Sequence, residues 1–347
     1  MSPQAGERAP DHVAVVFNPT KVDEAALKAA IEAASTTAGW SKTQWYQTTP
    51  DDPGQGVTAE AVAAGADVVV ACGGDGTVRA VAEALVDSGI PLGLIPAGTG
   101  NLLARNLGMP LGDLDAAAKV VVSGENRPID VGIVNLTSVD GTTSEHIFLV
   151  MAGVGIDAEM IVNTNPQLKS RVGWLAYVDS ALRTAIFNKA FRLHYSLDGQ
   201  HGREVGANGL MLANCGLLPA NILLLPQAVI DDGVLDFVVI RPKGMFGWLR
   251  LGTKIVTDGG IYRSLSTTGA LSKDGRKVRT LRYFRGETLV ATVDTPSIMQ
   301  LDGDGFGEVT GFSVSTRPGA LTIRVSELPA VEDGAQRADQ ASTEAAA

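Results

Sequence analysis

The chain has 347 residues, 45% of them hydrophobic, with 28 basic against 38 acidic side chains. This length allows two domains of ordinary size. The acidic balance argues against general nucleic-acid binding, which requires a basic surface. The first residues are polar and no run of about 18 apolar residues occurs, so we expect neither a signal peptide nor a membrane span. Cys72 and Cys215 lack metal or redox spacing, which indicates core positions in a reducing compartment.

The first third of the chain alternates short apolar runs with helical patterns. We predict strands at 12–18, 42–47, 68–72 and 92–95, and helices at 24–34, 57–64, after residue 75 and at 113–122. Such alternation predicts a parallel sheet with helices on both faces. Ligands of these sheets bind beyond the carboxyl ends of the strands. Asn18, Thr48 and two glycine-rich turns, at 73–77 and 98–101, fall at those ends.

After His146 the pattern changes to short strands separated by turn residues. Strands are predicted at 147–151, 191–197, 208–214, 234–240, 288–293, 297–301 and 321–325. This pattern predicts an antiparallel, β-rich second domain. Helices are predicted at about 167–188 and 246–256, and no internal repeat is visible.

The turn GGDGT is the strongest functional signal, and its residues are Gly73, Gly74, Asp75, Gly76 and Thr77. Glycines let the backbone approach a polyphosphate closely, and the free N–H groups of the following helix favour negative charge. Asp75 would repel phosphate, so it either holds Mg²⁺ through water or fixes the turn by accepting backbone N–H bonds. A tight turn with a capping aspartate is the alternative that involves no ligand.

Further motifs follow in order: PAGTGN at 96–101, IDVG at 129–132, GVGID at 153–157, the segment 169–177, DDGVLD at 231–236 and LDGD at 301–304. Together with GGDGT, this series resembles the diacylglycerol kinase catalytic-domain family, which includes bacterial diacylglycerol kinases and sphingosine kinases. The resemblance covers about residues 12–326. It implies an N-terminal doubly wound parallel α/β domain, a C-terminal β-sandwich domain and an ATP cleft between them. The implied reaction is ATP-dependent phosphorylation of a lipid hydroxyl.

The resemblance also sets the expected boundaries and surroundings of the protein. We expect a flexible tail at 1–11, a nucleotide-binding α/β domain at 12–135, a β-sandwich lipid-substrate domain at 136–328 and a disordered tail at 329–347. ATP and Mg²⁺ are the implied cofactors, and the lipid would be presented by a membrane. The resemblance is compatible with a cytoplasmic protein that contacts the inner face of the membrane peripherally. A homodimer is one compatible oligomeric state.

Site residues are carried over from the family by matching motif. The ATP-binding set is Asn18, Thr48, Gly73, Gly74, Asp75, Gly76, Thr77, Thr99 and Asn101. The catalytic set is Asp302, Asp304 and Asp75, with Asp302 as the general base that accepts the hydroxyl proton. A plain hairpin turn at 302–304 is the alternative.

A structural Mg²⁺ site is implied at Asp232, with the carbonyls of Val229 and Val234 as further ligands, since hard oxygen ligands suit Mg²⁺. Asp130 matches a carboxylate of the family's metal network. Ordinary turn acids are the alternative for both Asp232 and Asp130.

Several positions depart from the family pattern. Arg79 and Ala80 replace the usual Asn-Glu after GGDGT, Leu102 replaces an aspartate common in bacterial diacylglycerol kinases, and Thr20-Lys21 replace a small Ser-Gly. These departures put the Mg²⁺ arrangement and the identity of the lipid in question. Arg79 either contacts phosphate or is a solvated helix residue.

Two other segments have alternative interpretations. The basic segment 273–285 either faces anionic lipid headgroups or is a solvated hairpin. The aromatic residues of 169–188 either line a lipid-tail cleft or pack in a core.

Two other functions stay open: an NAD kinase, which shares GGDGT and a two-domain plan, and a non-catalytic lipid or nucleotide sensor.

Overall fold

The computed structural model describes residues 12–40, 42–155, 190–218, 222–223, 225, 227–242 and 281–326. The predicted helices at 167–188 and 246–256, the segment 169–177, both predicted tails and most of the basic segment lie outside these ranges. Among the described residues, no helix is both long and apolar enough to cross a membrane.

The N-terminal part alternates strands and helices as predicted. Its strands are β1 (His12–Phe17), β2 (Lys42–Gln47), β3 (Val68–Gly73) and β4 (Leu92–Pro96), all parallel in the order β4-β3-β1-β2. Its helices are α1 (Glu24–Ala38), α2 (Gln55–Ala63), α3 (Asp75–Leu85), α4 (Leu102–Asn106) and α5 (Leu114–Ser123). The prediction of a parallel sheet is therefore confirmed.

Both faces of this sheet are covered, which explains why its strands are apolar throughout. In β1, Val13 and Val15 pack in one core cluster together with Leu27 of α1, whereas Ala14 and Val16 pack in another together with residues of α2, α3 and α4. Side chains of a strand alternate between faces, so a strand buried on both sides needs a continuous apolar run. The sheet is doubly wound.

The second part of the chain is antiparallel. Its strands are β5 (Glu125–Ser138), β6 (Thr143–Phe148), β7 (Met151–Val154), β8 (Phe191–Leu197), β9 (Arg203–Ala207), β10 (Gly209–Ala213), β11 (Leu217–Leu218), β12 (Ile222–Leu223), β13 (Leu235–Ile240), β14 (Leu281–Gly286), β15 (Thr288–Leu301) and β16 (Asp304–Val325). Their shared core includes Phe237 and Tyr195, whose rings stack on Phe284 at centroid distances of 5.2 and 5.5 Å.

Strand β16 joins the two parts. It pairs antiparallel with β15 and β5, and near its end Ile323 pairs parallel with Leu92 of β4. The sequence predicted only a short strand at 321–325 here, whereas the structure contains one strand of 22 residues. Glycine and proline within 304–319 hid this continuity, because they are turn signals in a sequence. The hairpin between β15 and β16 is thereby attached to the N-terminal sheet through a continuous strand.

Candidate active site

The two glycine-rich turns meet at the carboxyl ends of β3 and β4. A Cβ atom on Gly98 would lie 2.5 Å from the Cα atom of Gly74, so only glycine fits at this contact. The turns are also joined by a backbone hydrogen bond from Ala97 N to Gly73 O at 2.9 Å. A Cβ atom on Gly73 would meet the buried side chain of Thr77 at 2.6 Å. The two motifs therefore form one continuous backbone surface.

Polar side chains of the motifs hold these turns in shape. Asp75, the first residue of α3, accepts a hydrogen bond from Leu102 N. Asn101 has a left-handed backbone (φ 47°), and its side chain brackets Gly98, accepting from Gly98 N and donating to Gly98 O, both at 2.9 Å. Of the two interpretations of Asp75, turn fixation is thus observed directly. Burial raises the pKa of Asp75, its backbone hydrogen bonds lower it, and the negative charge of Asp304 adds to the increase.

Asn18, Thr48 and Thr99 lie at the ends of β1, β2 and β4, as predicted. The Asn18 carboxamide oxygen accepts hydrogen bonds from Thr20 N at 3.0 Å and from Thr20 Oγ1 at 2.7 Å. Thr48 is buried and donates its backbone N–H to Phe17 O at 3.0 Å, whereas Thr99 is exposed on the second turn. The order of the strands places these residues along one edge of the sheet. Their contact with ATP stays a prediction.

The segment 302–304 forms a two-residue hairpin between β15 and β16. Both turn residues have positive φ, 50° at Asp302 and 94° at Gly303, as expected for a tight Asp-Gly hairpin. The hairpin alternative is correct as a description of the backbone, and it does not exclude a role for the side chain. Asp302 is 5% exposed, and its carboxylate accepts backbone N–H bonds from Leu149 (2.8 Å), Val150 (2.8 Å) and Met151 (3.0 Å), which lie between β6 and the start of β7.

The Asp302 carboxyl has an unusual proton affinity. Burial raises its pKa to about 6, since a charged group loses hydration there. The three backbone hydrogen bonds and the positive charge of Arg79 oppose this increase. A carboxylate with a pKa near neutrality is suited to accept a proton at physiological pH.

Asp304 links the hairpin to the first glycine-rich turn. Its Oδ2 accepts a hydrogen bond from Nη2 of Arg79 at 3.0 Å, although 225 residues separate them. A Cβ atom on Gly76 would lie 2.7 Å from the same oxygen. The carboxylate of Asp304 therefore rests on the first turn of α3. Of the three predicted catalytic aspartates, Asp75 begins this helix and Asp304 contacts its first turn, whereas Asp302 lies close enough for the charge of Arg79 to lower its pKa.

Sequence reasoning singled out Arg79 without its contacts and missed two supporting residues, Phe306 and Arg105. Arg79 is buried, with 8% exposure, so the alternative of a solvated helix residue is wrong, and the alternative of a phosphate contact stays a prediction. Phe306 lies 4.7 Å from the Arg79 guanidinium carbon, and Arg105 donates from Nε to Gly100 O at 2.7 Å, supporting the second turn. A basic residue four positions after Asp75 was the available signal, because residues at that spacing share a helix face.

At the predicted structural metal site, the Asp232 carboxylate is paired with an arginine. The Asp232 carboxylate accepts hydrogen bonds from Arg285 and from Val234 N, and the second nitrogen of Arg285 reaches Asp236 at 3.2 Å. No group of three or more His, Cys, Asp or Glu residues within the described ranges could hold a metal ion. A magnesium role for Asp232 with the Val229 and Val234 carbonyls stays a prediction, and in this structure the Asp232 carboxylate pairs with the guanidinium of Arg285.

Both carboxylate oxygens of Asp130 accept backbone hydrogen bonds. Its oxygens accept from Gly233 N at 2.6 Å and from Gly319 N at 2.8 Å, and its side chain is buried. It therefore joins the 231–233 turn to β16. A metal role for Asp130 stays a prediction without a supporting contact.

Comparison with known proteins identifies the family. Residues 12–134 match the model described as diacylglycerol kinase catalytic domain, and residues 149–325 match the YegS C-terminal NAD kinase beta sandwich-like domain. A Pseudomonas aeruginosa protein named "Probable lipid kinase YegS-like" is 32% identical over 79% of this chain and 82% of its own length. This chain belongs to the diacylglycerol kinase catalytic-domain family. It is therefore a kinase, and its family implies ATP as substrate.

Two further comparisons give another relative and the fold. A Synechocystis protein, "Uncharacterized protein sll0036", is 29% identical over 75% of this chain, which spans about half (55%) of that relative. A crystal structure of a diacylglycerol kinase from Bacillus anthracis has a TM-score of 0.67 at 21% identity and covers 92% of this chain and 99% of that one. The latter shows the same two-part fold, as the sequence predicted.

Proposed function

We propose that this kinase transfers the γ-phosphoryl group of ATP to the hydroxyl of a diacylglycerol-like or sphingoid-like lipid. The observation that carries the proposal is the contact between the two motifs at α3, where Asp304 Oδ2 would lie 2.7 Å from a Cβ atom on Gly76 of GGDGT and accepts a hydrogen bond from Arg79 at 3.0 Å. Phosphoryl transfer requires a phosphate site and a base held in register. Here the two are supplied by distant parts of the chain that meet at α3.

Asp302 is the base in this proposal, and its hydrogen bonds indicate which oxygen accepts the proton. Oδ1 accepts two backbone N–H bonds, from Val150 and Met151, whereas Oδ2 accepts one, from Leu149. A carboxylate oxygen has two lone pairs, so Oδ2 retains one for the lipid hydroxyl. As the hydroxyl oxygen bonds to the γ-phosphorus, its proton moves to Oδ2, and the bond to the bridging oxygen breaks to release ADP.

Mg²⁺ accompanies ATP in this proposal. Kinases usually hold it through one or two carboxylates together with the substrate phosphates, so a dedicated cage of acids is unnecessary. Asp75 fits this role because it begins the helix at the phosphate turn. Burial, followed by the negative charge of Asp304, raises its pKa, and a bound cation would favour its ionised form. When bound, the ion would neutralise charge on the transferred phosphoryl group.

A lipid acceptor is supported by the family rather than by a contact. The catalytic family model is that of diacylglycerol kinases, and the P. aeruginosa relative is named as a lipid kinase. We therefore propose that the acceptor is presented by a membrane surface, with the protein in peripheral contact at the cytoplasmic face.

The test is transfer of labelled phosphate from ATP to a panel of diacylglycerol, monoacylglycerol, sphingoid base and total cell lipid, with NAD as a separate acceptor. Products are identified by mass. Labelled phospholipid supports the proposal, and NADP as the product would overturn it. ATP binding without transfer to any acceptor would indicate a non-catalytic sensor instead.

The role of Asp302 is tested by Asp302→Asn, which should reduce turnover by about 10²-fold or more while leaving ATP affinity nearly unchanged. Asp198→Asn is a matched control. Asp198 also has a left-handed backbone (φ 48°) and also accepts backbone N–H bonds, from Glu287 and Thr288. Near-normal turnover in Asp302→Asn would exclude this residue as the base.

A further inference from the structure

Arg79 departs from the usual family motif, and its side chain is held by the strand that carries the catalytic hairpin. Its Nη2 donates to Asp304 Oδ2 at 3.0 Å, and its guanidinium carbon lies 4.7 Å from the centre of the Phe306 ring. Both partners belong to the start of β16, whereas Arg79 belongs to α3. The arginine thus connects the helix that starts at GGDGT with the hairpin that carries Asp302.

This connection leaves little freedom to the Asp304 carboxylate. The backbone of Gly76 lies next to Oδ2 of Asp304, since a Cβ atom built on Gly76 would lie 2.7 Å from this oxygen. Arg79, on the next turn of the helix, donates a hydrogen bond to the same oxygen. Asp304 follows Asp302 by only two residues in a tight hairpin. Fixing Asp304 therefore fixes the position of Asp302 relative to the phosphate turn.

Stability alone does not explain this arginine. Its side chain is 9% exposed, whereas that of Asp304 is 48% exposed. Arg79 Nε is buried and makes no hydrogen bond to any residue in the described part of the chain. Burying a guanidinium with incomplete hydrogen bonding is costly, and a half-exposed ion pair contributes little in return. A costly group that contacts a catalytic motif is better explained by function.

Neighbouring residues keep Arg79 in this orientation. The ring of His146 also packs on Phe306, at a centroid distance of 4.7 Å, and its Nδ1 lies 3.8 Å from Glu83 of α3. Burial lowers the pKa of His146, and the positive charge of Arg79 lowers it further, although Glu83 opposes both. Among these neighbours Arg79 therefore supplies the permanent positive charge.

We propose that Arg79 is a positioning residue for phosphoryl transfer, which holds Asp304 on the first turn of α3 and so sets the hairpin of Asp302 against the phosphate site. This inference rests on the proposed function. In this proposal Arg79 acts through Asp304. Lysine would keep the charge but lose the planar group that stacks on Phe306.

The experiment compares kcat and KM for ATP in Arg79→Gln, Arg79→Lys, Asp304→Asn and the double variant Arg79→Gln/Asp304→Asn. Arg317→Gln is the control, because Arg317 also pairs with a distant aspartate, Asp87 at 2.6 Å, on an exposed surface away from the hairpin. Circular dichroism and thermal unfolding confirm that each variant is folded.

We expect Arg79→Gln to lower kcat about 10- to 100-fold, with KM for ATP changed less than about threefold, as for loss of a charge-assisted hydrogen bond that acts in the transition state. Arg79→Lys should recover part of the loss, and the double variant should be no worse than the more affected single variant. Unchanged kcat in Arg79→Gln, or losses that multiply in the double variant, would overturn the inference. If the wild-type protein phosphorylates no lipid, the proposed function fails first, and the inference fails with it.

Discussion

Replacing Gly76 with alanine should separate catalysis from stability. The new Cβ atom would lie 2.7 Å from Asp304 Oδ2, and an ordinary contact begins at 3.4 Å, so the carboxylate must retreat by about 0.7 Å. Asp304 can make this movement because its side chain is half-exposed. The movement disturbs the hydrogen bond that Arg79 donates to the same oxygen. A misplacement of this size can cost about 10²-fold in rate.

The folding free energy should change little in the same variant. Gly76 lies within α3 and has no positive φ, so alanine gains up to about 1 kcal/mol of helix propensity. The weakened ion pair costs about 1 kcal/mol or less, because one partner is solvated. We therefore expect a melting temperature within about 3 °C of wild type, together with a large decrease in kcat for lipid phosphorylation.

Gly286→Ala provides the matched control. Its Cβ would also lie 2.7 Å from an aspartate oxygen, Oδ2 of Asp198, and equally close to Leu197, but outside the candidate site. This variant should lose stability and keep its kcat per folded molecule. A kcat of Gly76→Ala within about twofold of wild type, or a loss that only parallels unfolding, would refute the role given to the Asp304 contact.

Three further predictions concern proton affinity and the DDG turn. The kcat should decrease below about pH 6, because burial raises the pKa of Asp302 to about 6 and a base must be ionised. A pH–rate profile that is flat down to about pH 5 would contradict this. Asp130→Ala should cost about 2–4 kcal/mol in urea unfolding, because two backbone N–H groups lose their acceptor. Arg285→Gln should lower the melting temperature, because the Arg285 guanidinium joins Asp232 to Asp236. Chelation of divalent ions should leave the melting temperature of the wild-type protein unchanged. A decrease with chelator alone would favour the structural magnesium site.

The N-terminal sheet was predictable because local patterns determine it. Strands buried on both faces need continuous apolar runs, and β1 and β3 have them. Helix α1 was also predicted, although it extends to Ala38, where Gly39 with a φ of 75° ends it. Strand β16 was not predictable, since its residues include turn signals and its pairing with β4 joins positions more than 200 residues apart. Only tertiary contacts distinguish such a strand from a series of loops.

The candidate site was predictable in its motifs and not in its contacts. Strand ends and glycines located the phosphate turns, because glycine is required where Gly74 and Gly98 touch. No spacing in the sequence predicts the pairing of Arg79 with Asp304. The partner of Asp232 was missed for the same reason, since Arg285 is 53 residues away on β14. In both places an arginine engages a carboxylate to which the sequence assigned another role, catalytic for Asp304 and metal-binding for Asp232.

The path of β16 connects Asp130 with the active site. A straight strand of 22 residues would span about 70 Å. At Ile323, β16 runs parallel to β4, so a straight β16 would place its earlier residues beyond the amino ends of the parallel strands. Asp304, however, lies against Gly76, at the carboxyl ends of these strands. The strand must therefore bend.

The irregular pairing with β5 between Arg317 and Leu321 marks one bend, where Gly319 has a φ of 61°. An extra residue in a ladder bends its strand and is stabilised by specific contacts. Asp130 supplies one such contact by accepting the N–H of Gly319 at 2.8 Å. On this argument the buried carboxylate that resembles a metal ligand fixes the course of the strand, and the course of the strand brings the catalytic hairpin to the phosphate turns.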